Sequence, residues 1–317
     1  MTIHIEPPSA YFMHVPKTGG VTLTQWLRES YGQRHCVDLG LPQLGRFTSA
    51  ELKQFHCYYP FHHGRSLFDL VGRVDLLTFT LLREPVERAV SEFYHQRRLA
   101  SERPQRFDAA YLQEIRPALE GTIKACVLRD LLPQYLSNRQ TRVLGQRADY
   151  TVFLKGGEFS GHSFAQPFEP AWQIDPSDLA LLTANAHTWL DEMAVVGLTE
   201  HYDKSVLMIA DLLGLPAPAA IARANVNPQR SSPAMRYRDQ LPPDVTARLE
   251  ELNRCDQELY AHATDLFEQQ WARFRARPQR TYSIAPRLRI VLKRAKPGLK
   301  RWLSRIGYDA KPPKGDR

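Results

Sequence analysis

Lysine, threonine and a glycine pair sit side by side at Lys17-Thr18-Gly19-Gly20, and an arginine closes an apolar run at Arg83. Both are places where a strand pattern gives way to a helix pattern. A Gly-rich turn that opens a helix aims free backbone N–H groups and the positive end of the helix dipole at one point. Lys17 adds a mobile point charge there, and Thr18 and Thr22 add hydroxyls. That is the chemistry of holding a phosphate. Arg83 offers a planar bidentate fork, and Ser91, about two turns into the next helix, offers a further hydroxyl. Two anion sites on neighbouring junctions predict a ligand with two separated phosphates. A kinase or NTPase is the natural rival, but the GxxxxGK[ST] pattern is absent, the lysine precedes its glycines, and no Asp-bearing strand stands out for magnesium.

The elements that must position these groups follow from pattern. Residues 11–15 read as a buried strand, with an amphipathic helix behind the turn to about Tyr31; 76–82 is a continuous apolar run of strand length. Pro85 stands in the first turn of the next helix, where its missing N–H costs little. Strands and helices alternate through the first hundred residues, which predicts an α/β fold with a mainly parallel central sheet flanked by helices. Residues 101–140 read as helical, amphipathic over 111–137 apart from Pro117 and Pro133. Residues 145–175 read as an irregular stretch long enough for a lid or binding loop. Asp175-Pro176-Ser177-Asp178 predicts a helix start, running to about Glu192. A buried strand over 194–198, a helix over 202–213, a loop-rich 216–239 and one long helical region over 242–274 complete the pattern.

Residues 11–23, YFMHVPKTGGVTL, and 81–95, LLREPVERAVSEFYH, are similar to the 5′- and 3′-phosphosulfate-binding motifs of PAPS-dependent sulfotransferases. The likeness is to the branch holding the heparan sulfate 2-O- and 6-O-sulfotransferases and their bacterial relatives. NRQTRVLG (138–145), VGLTEH (196–201), NVNPQR (225–230) and 252–267, with Asp256, Leu259 and Tyr260, resemble family segments in family order. Coverage runs from about 11 to 274, weakest at 100–130 and 146–190. The resemblance implies a P-loop-like sulfotransferase fold, PAPS as sulfuryl donor, no metal, and a hydroxyl-bearing acceptor, most plausibly a glycan. It places Lys17, the Gly19 and Gly20 amides and the Thr18 and Thr22 hydroxyls at the leaving 5′-phosphate. Arg83 and Ser91 take the 3′-phosphate, with Arg230 in a late loop closing over that side. Arg142 resembles a position that touches acceptor or cofactor. The catalytic base is implied to be a histidine beside glycine about twenty residues before Arg83; in His62-His63-Gly64 that is His63, with His62 as the alternative. Histidine suits a base near neutral pH. His14 is read as packing or orienting the turn.

The formal net charge of +8 is uneven: residues 273–317 carry 15 Lys and Arg against 2 Asp, leaving 27 basic and 32 acidic side chains on the rest. The expected division is therefore a sulfotransferase domain over 1–274 and a basic amphipathic extension over 275–317. Residues 290–306, IVLKRAKPGLKRWLSRI, interleave apolar and basic types and suit peripheral contact with an anionic membrane. The same charge could stay solvated. No nucleic-acid-binding module accompanies it. There is no apolar stretch of spanning length and no basic n-region with an apolar h-region, so the expected location is cytoplasmic, at most peripheral at the inner membrane face. Cys36, Cys57, Cys126 and Cys255 lack metal-ligand spacing and read as buried or incidental thiols. Two alternatives stay open: the same chemistry on a lipid or small-molecule alcohol, or a catalytically silent nucleotide- or glycan-binding protein. Trp172 and Trp189 suit sugar stacking or the core equally.

Overall fold

The computed structural model describes residues 7–38, 47–60, 63–106, 109–149, 154–155, 158–159, 171–175, 177–218 and 236–277. The chain opens with β1 (Ala10–Met13), α1 (Gly20–Tyr31), β2 (Cys36–Val37), α2 (Ser49–Lys53), β3 (Cys57–Tyr58), α3 (Leu67–Val71) and β4 (Leu77–Leu82). A helical stretch follows: α4 (Pro85–Glu102), α5 (Ala109–Glu114), α6 (Arg116–Glu120), α7 (Ile123–Leu128), α8 (Pro133–Leu136) and α9 (Arg139–Gly145). Two short antiparallel pairs come next, β5 (Ala148–Asp149) with β8 (Ala171–Trp172) and β6 (Leu154–Lys155) with β7 (Glu158–Phe159). The chain then returns through α10 (Leu179–Glu192), β9 (Val195–Leu198), α11 (Tyr202–Leu213), α12 (Pro243–Leu252) and α13 (Arg254–Ala276).

The central sheet has the order β2-β3-β1-β4-β9 and every pairing is parallel. Parallel strands covered on both faces are buried on both, so AYFM carries no charged or strongly polar residue, and the alternate threonines of LTFTLL, Thr78 and Thr80, are buried as well, with Thr80 donating to Met13 O at 2.7 Å. By register Phe12, Phe79, Leu81 and Gly197 share one face, where Phe12 stacks on Phe79 at 5.5 Å. Ser205 of α11 packs against Gly197 there; a Cβ on that glycine would lie 2.8 Å from the serine Cβ. Tyr11 and Met13 point to the other face, against Phe68 of α3 and Trp189 of α10. Because all five strands run one way, their C-terminal ends share an edge. The turns after β1, β3, β4 and β9 therefore converge, as ligand sites of open α/β sheets require.

The α/β expectation holds, and α1 and α11 end at the residues the pattern gave. Asp178 caps α10 as expected, its carboxylate accepting from Leu181 N at 3.0 Å. Two helical stretches differ. Within 109–136 the chain forms four short helices, and Pro117 and Pro133 sit in the first turns of α6 and α8, so the prolines start helices where they were read as interruptions. The long helical region over 242–274 divides at Asn253. That buried side chain donates to Leu136 O at 2.7 Å and Leu249 O at 2.9 Å and accepts from Asn138 N at 3.0 Å. α13 also runs two residues past the expected domain end, to Ala276, and the basic stretch after 277 lies outside the described residues. Along the outer side of β9, Gln270 of α13 accepts from Val196 N at 2.8 Å and donates to Met193 O at 3.4 Å.

Candidate functional site: two strand-to-helix turns

The turn after β1 is built from left-handed backbone. Lys17 has φ 71° and Gly19 φ 90°. For a lysine this conformation costs about 1 kcal/mol or more, strain of the kind held at functional turns. Thr18 is fully buried and its hydroxyl donates to Val15 O at 2.8 Å, closing the turn. The hydroxyl hydrogen expected to meet a phosphate is thus engaged within the loop. Thr199, just past β9, donates to Thr18 O at 2.7 Å and to Leu82 O at 3.0 Å, stitching three strand ends together. Tyr202 donates to Gly19 O at 3.1 Å, and the Thr22 hydroxyl neighbours the same phenol. A Cβ on Gly19 would stand 2.8 Å from the Tyr202 ring, and one on Gly20 only 2.1 Å from His14 Nε2. His14, stacked on Phe12 at 5.3 Å, thus fills the space that Gly20 leaves. Burial, and then the Lys17 charge, lower its pKa to about 4, so it stays neutral near pH 7 and shapes the turn as expected. No side chain caps the N-terminus of α1, which leaves its dipole to a ligand.

Arg83 is held in the turn after β4 by partners far along the chain. Its N–H donates to Gln140 Oε1 at 3.0 Å and its carbonyl accepts from Gln140 Nε2 at 2.9 Å. Gln140 lies in the first turn of α9, whose N-terminus is capped by the buried Asp256 of α13: the carboxylate accepts from Gln140 N at 3.1 Å and Thr141 N at 2.7 Å. Burial raises the pKa of Asp256, and the Arg88 charge and these amides oppose it. The Arg83 guanidinium donates to Lys17 O at 3.3 Å and Glu87 Oε2 at 3.2 Å, and lies over the Tyr237 ring at 5.9 Å. The turns after β1 and β4 are therefore joined by a hydrogen bond.

Helical spacing puts Arg88, Ser91, Glu92, His95 and Arg98 of α4 along one side. Ser91 is half-buried there. Arg88 is fully buried and donates to Tyr135 O at 2.7 Å; its Nη1 faces Glu92 Oε2 in an ion pair at 3.9 Å, too long for a hydrogen bond, and its Nε and His95 Nδ1 have no hydrogen-bond partner among the described residues. Burial lowers Lys17 to about 8; the Glu92 charge opposes this, and Arg98, Arg83 and Arg88 add to it. His95 falls to about 4 through burial and then the Lys17 charge. Cations crowded together with buried donors left over fit an anionic ligand, whose charge would restore Lys17.

The turn after β3 carries His63, which is fully buried and precedes a single 3-10 turn, Gly64–Ser66. Gly64 has φ 52°, and its carbonyl accepts from Tyr11 Oη at 2.9 Å. A Cβ there would press on Gln146 O at 2.5 Å, so α9 packs directly on this turn. His62 and Arg230 lie outside the described residues. Arg142 is half-buried on α9. Beside the His63 turn is a small cavity of about 20 Å³ lined by Arg65, Gln146, Arg147, Asn185 and Trp189 among others. Trp189 itself is 4 % exposed, beneath Arg65 at 5.7 Å, and so belongs to the core and is no sugar platform. Among the described residues no group of three His, Cys, Asp or Glu is placed to hold a metal, and no helix is long and apolar enough to cross a membrane.

Sequence reasoning did not single out Gln140, Glu92, Thr199 or Tyr202. The i, i+4, i+7 spacing of Arg88, Glu92 and His95 was a readable signal for one of them; the others are brought in by tertiary packing alone.

The profile of the Sulfotransferase family matches residues 6–263. Human heparan-sulfate 6-O-sulfotransferase 1 is 29% identical over 236 residues, which is 70% of this chain and 51% of that protein. The chain thus spans about half the length of the curated relative it matches. With most of its length matched, and the turns after β1 and β4 inside the matched span, the chain belongs to the sulfotransferase family.

Proposed function

We propose that this protein transfers a sulfuryl group from PAPS to a hydroxyl of a carbohydrate. The observation that carries the reading is the union of the Lys17 and Arg83 turns at 3.3 Å, two cationic cradles set for one ligand with two phosphates. The carbohydrate acceptor rests on the likeness to the human 6-O-sulfotransferase. PAPS supplies the sulfuryl group. Lys17 and the amides at the start of α1 stabilise charge on the leaving 5′-phosphate, the term that dominates such in-line transfers. Arg83, with Ser91 and the spare donors of Arg88, holds the 3′-phosphate that distinguishes this ligand from simple adenylates. His63, or its neighbour His62, takes the acceptor proton. Cytoplasmic placement and membrane contact by the basic 278–317 stretch complete the proposal; vesicle co-sedimentation of the full chain against one ending at 277 tests the second.

Calorimetric titration with 3′-phosphoadenosine 5′-phosphate beside 5′-AMP tests the site. The expected result is binding that requires the 3′-phosphate and weakens at least tenfold in Arg83→Ala. Equal affinity for the two nucleotides would overturn it. Turnover with PAPS and a polysaccharide acceptor, abolished in His62→Ala/His63→Ala, separates an enzyme from a silent binder of the same nucleotide.

A further inference from the structure

Two of the four cysteines are neighbours in space. Cys36 of β2 and Cys57 of β3 are register partners in a parallel pairing. Adjacent strands lie about 4.8 Å apart and ladder partners point to the same face, so the Cα separation falls within the range a disulfide spans. Both are free thiols, fully or nearly buried, with Cys36 8 % exposed and Cys57 0 %. Cys36 sits under α1, its Sγ 3.8 Å from Leu27 O. Cys126 and Cys255 lie elsewhere, on α7 and α13.

We propose that Cys36 and Cys57 are an oxidation site, closing to a reversible cross-strand disulfide that fastens the edge strand β2 to β3, ahead of the turn carrying His63. The two thiols differ in a way that assigns roles. A hydrogen bond from Cys57 and then the Arg28 charge lower Cys36 against the opposing effect of burial, whereas burial raises Cys57. The thiolate is the nucleophile, so Cys36 reacts first. With hydrogen peroxide as oxidant, the Cys36 thiolate attacks one oxygen; the S–O bond forms, the O–O bond breaks, and hydroxide leaves to become water. The sulfur is now a sulfenic acid. Cys57 attacks that sulfur; the S–S bond forms, the S–O bond breaks, and a second water departs with the Cys57 proton. Two thiols and one peroxide become one disulfide and two waters. A dithiol reverses the bridge by exchange.

The test is a thiol map of the full-length chain. Reduced protein is treated with a few equivalents of hydrogen peroxide, alkylated under denaturing conditions and digested with trypsin. Cleavage after Arg34, Arg46, Lys53 and Arg65 places Cys36 in peptide 35–46 and Cys57 in peptide 54–65. The expected product is these two peptides joined within one chain, two hydrogens lighter than their sum, and separated again by dithiothreitol. In Cys57→Ser the joined species disappears and Cys36 is trapped by dimedone as the sulfenic acid. The proposal is overturned if Cys255 oxidises while Cys36 and Cys57 remain alkylatable. It is also overturned if Cys36 goes to sulfinic acid with no joined peptide. The wild-type map decides alone, whatever the folding of the variant.

Discussion

The Lys17 turn and the Arg83 turn occupy the same position on neighbouring strands, yet they are built on opposite plans. The first is held mostly by itself: Thr18 closes on Val15 and Gly20 nests against His14, while Arg83, Thr199 and Tyr202 reach its carbonyls from a distance. The second is held from outside. Arg83 is clamped by Gln140, Gln140 is positioned by α9, and α9 is capped by Asp256, 116 positions beyond Gln140. A turn of this kind can therefore be written in a short local motif when its atoms are backbone. It needs the whole chain when its main group is a long side chain that must be aimed.

That contrast can be broken by experiment. The largest effect belongs to the local turn: Lys17→Ala removes the cation itself and should lower turnover by about 10²–10³, measured as kcat with PAPS. A loss under tenfold would mean that the helix amides alone stabilise the leaving group. On the remote side, Asp256→Ala leaves Arg88 with Glu92, 3.9 Å away, as its remaining buried counter-charge and leaves α9 without its cap, and should cost about 3 kcal/mol in denaturant unfolding. It should also weaken nucleotide binding at temperatures where the variant is still folded. If folding suffers and recognition of the 3′-phosphate does not, the chain of support from α13 to Arg83 is scaffold only. Gln140→Ala is milder, removing a neutral hydrogen-bonded clamp worth roughly 1–2 kcal/mol. Its expected signature is a several-fold loss of 3′-phosphate preference with 5′-AMP binding unchanged.

Much of this was legible in the residues. The glycine pair after an apolar run, the arginine at a strand end and the proline opening α4 are local signals, and they located two strand-to-helix junctions of the fold. The boundaries of α1 and α11 were readable because glycine stands at the C-terminal end of each. What could not be read is what packing decides. Asn253 looks like an ordinary helix position until its amide is needed by Leu136 and Asn138, and Gln140 looks like a surface glutamine until it meets Arg83. The prolines at 117 and 133 were visible, but whether each ends one helix or begins another depends on the second core around Val86, Phe93 and Val127 that those short helices cover.

Two smaller effects sharpen the comparison through charge. Lys17 titrates near 8 in the free protein, so binding of 3′-phosphoadenosine 5′-phosphate should weaken as pH rises from 7 to 9. A flat profile would mean that Lys17 does not meet the ligand. The same depressed pKa makes the charged lysine a burden on folding. Below pH 8 both folded and unfolded chains carry the proton and the cost is constant; between 8 and the ordinary 10.5 the folded chain has shed it and stability recovers. Lys17→Met should therefore raise the stability of the free protein at pH 7 by about 1–2 kcal/mol while abolishing turnover, a trade-off typical of functional sites. Unchanged or lower stability would argue against a buried, repelled cation at this turn.

The Gln270 amide on the outer side of β9 has a consequence for assembly. An outermost strand with open backbone groups is a template on which another chain can add a strand. Here a side chain of the protein's own last described helix imitates the missing neighbour, taking the Val196 hydrogen and giving one to Met193. Growth of the sheet in that direction is blocked without a charge, a proline or a bulge on the strand itself. Gln270→Ala would reopen that margin, and self-association by strand addition would then be directed to this side of the molecule.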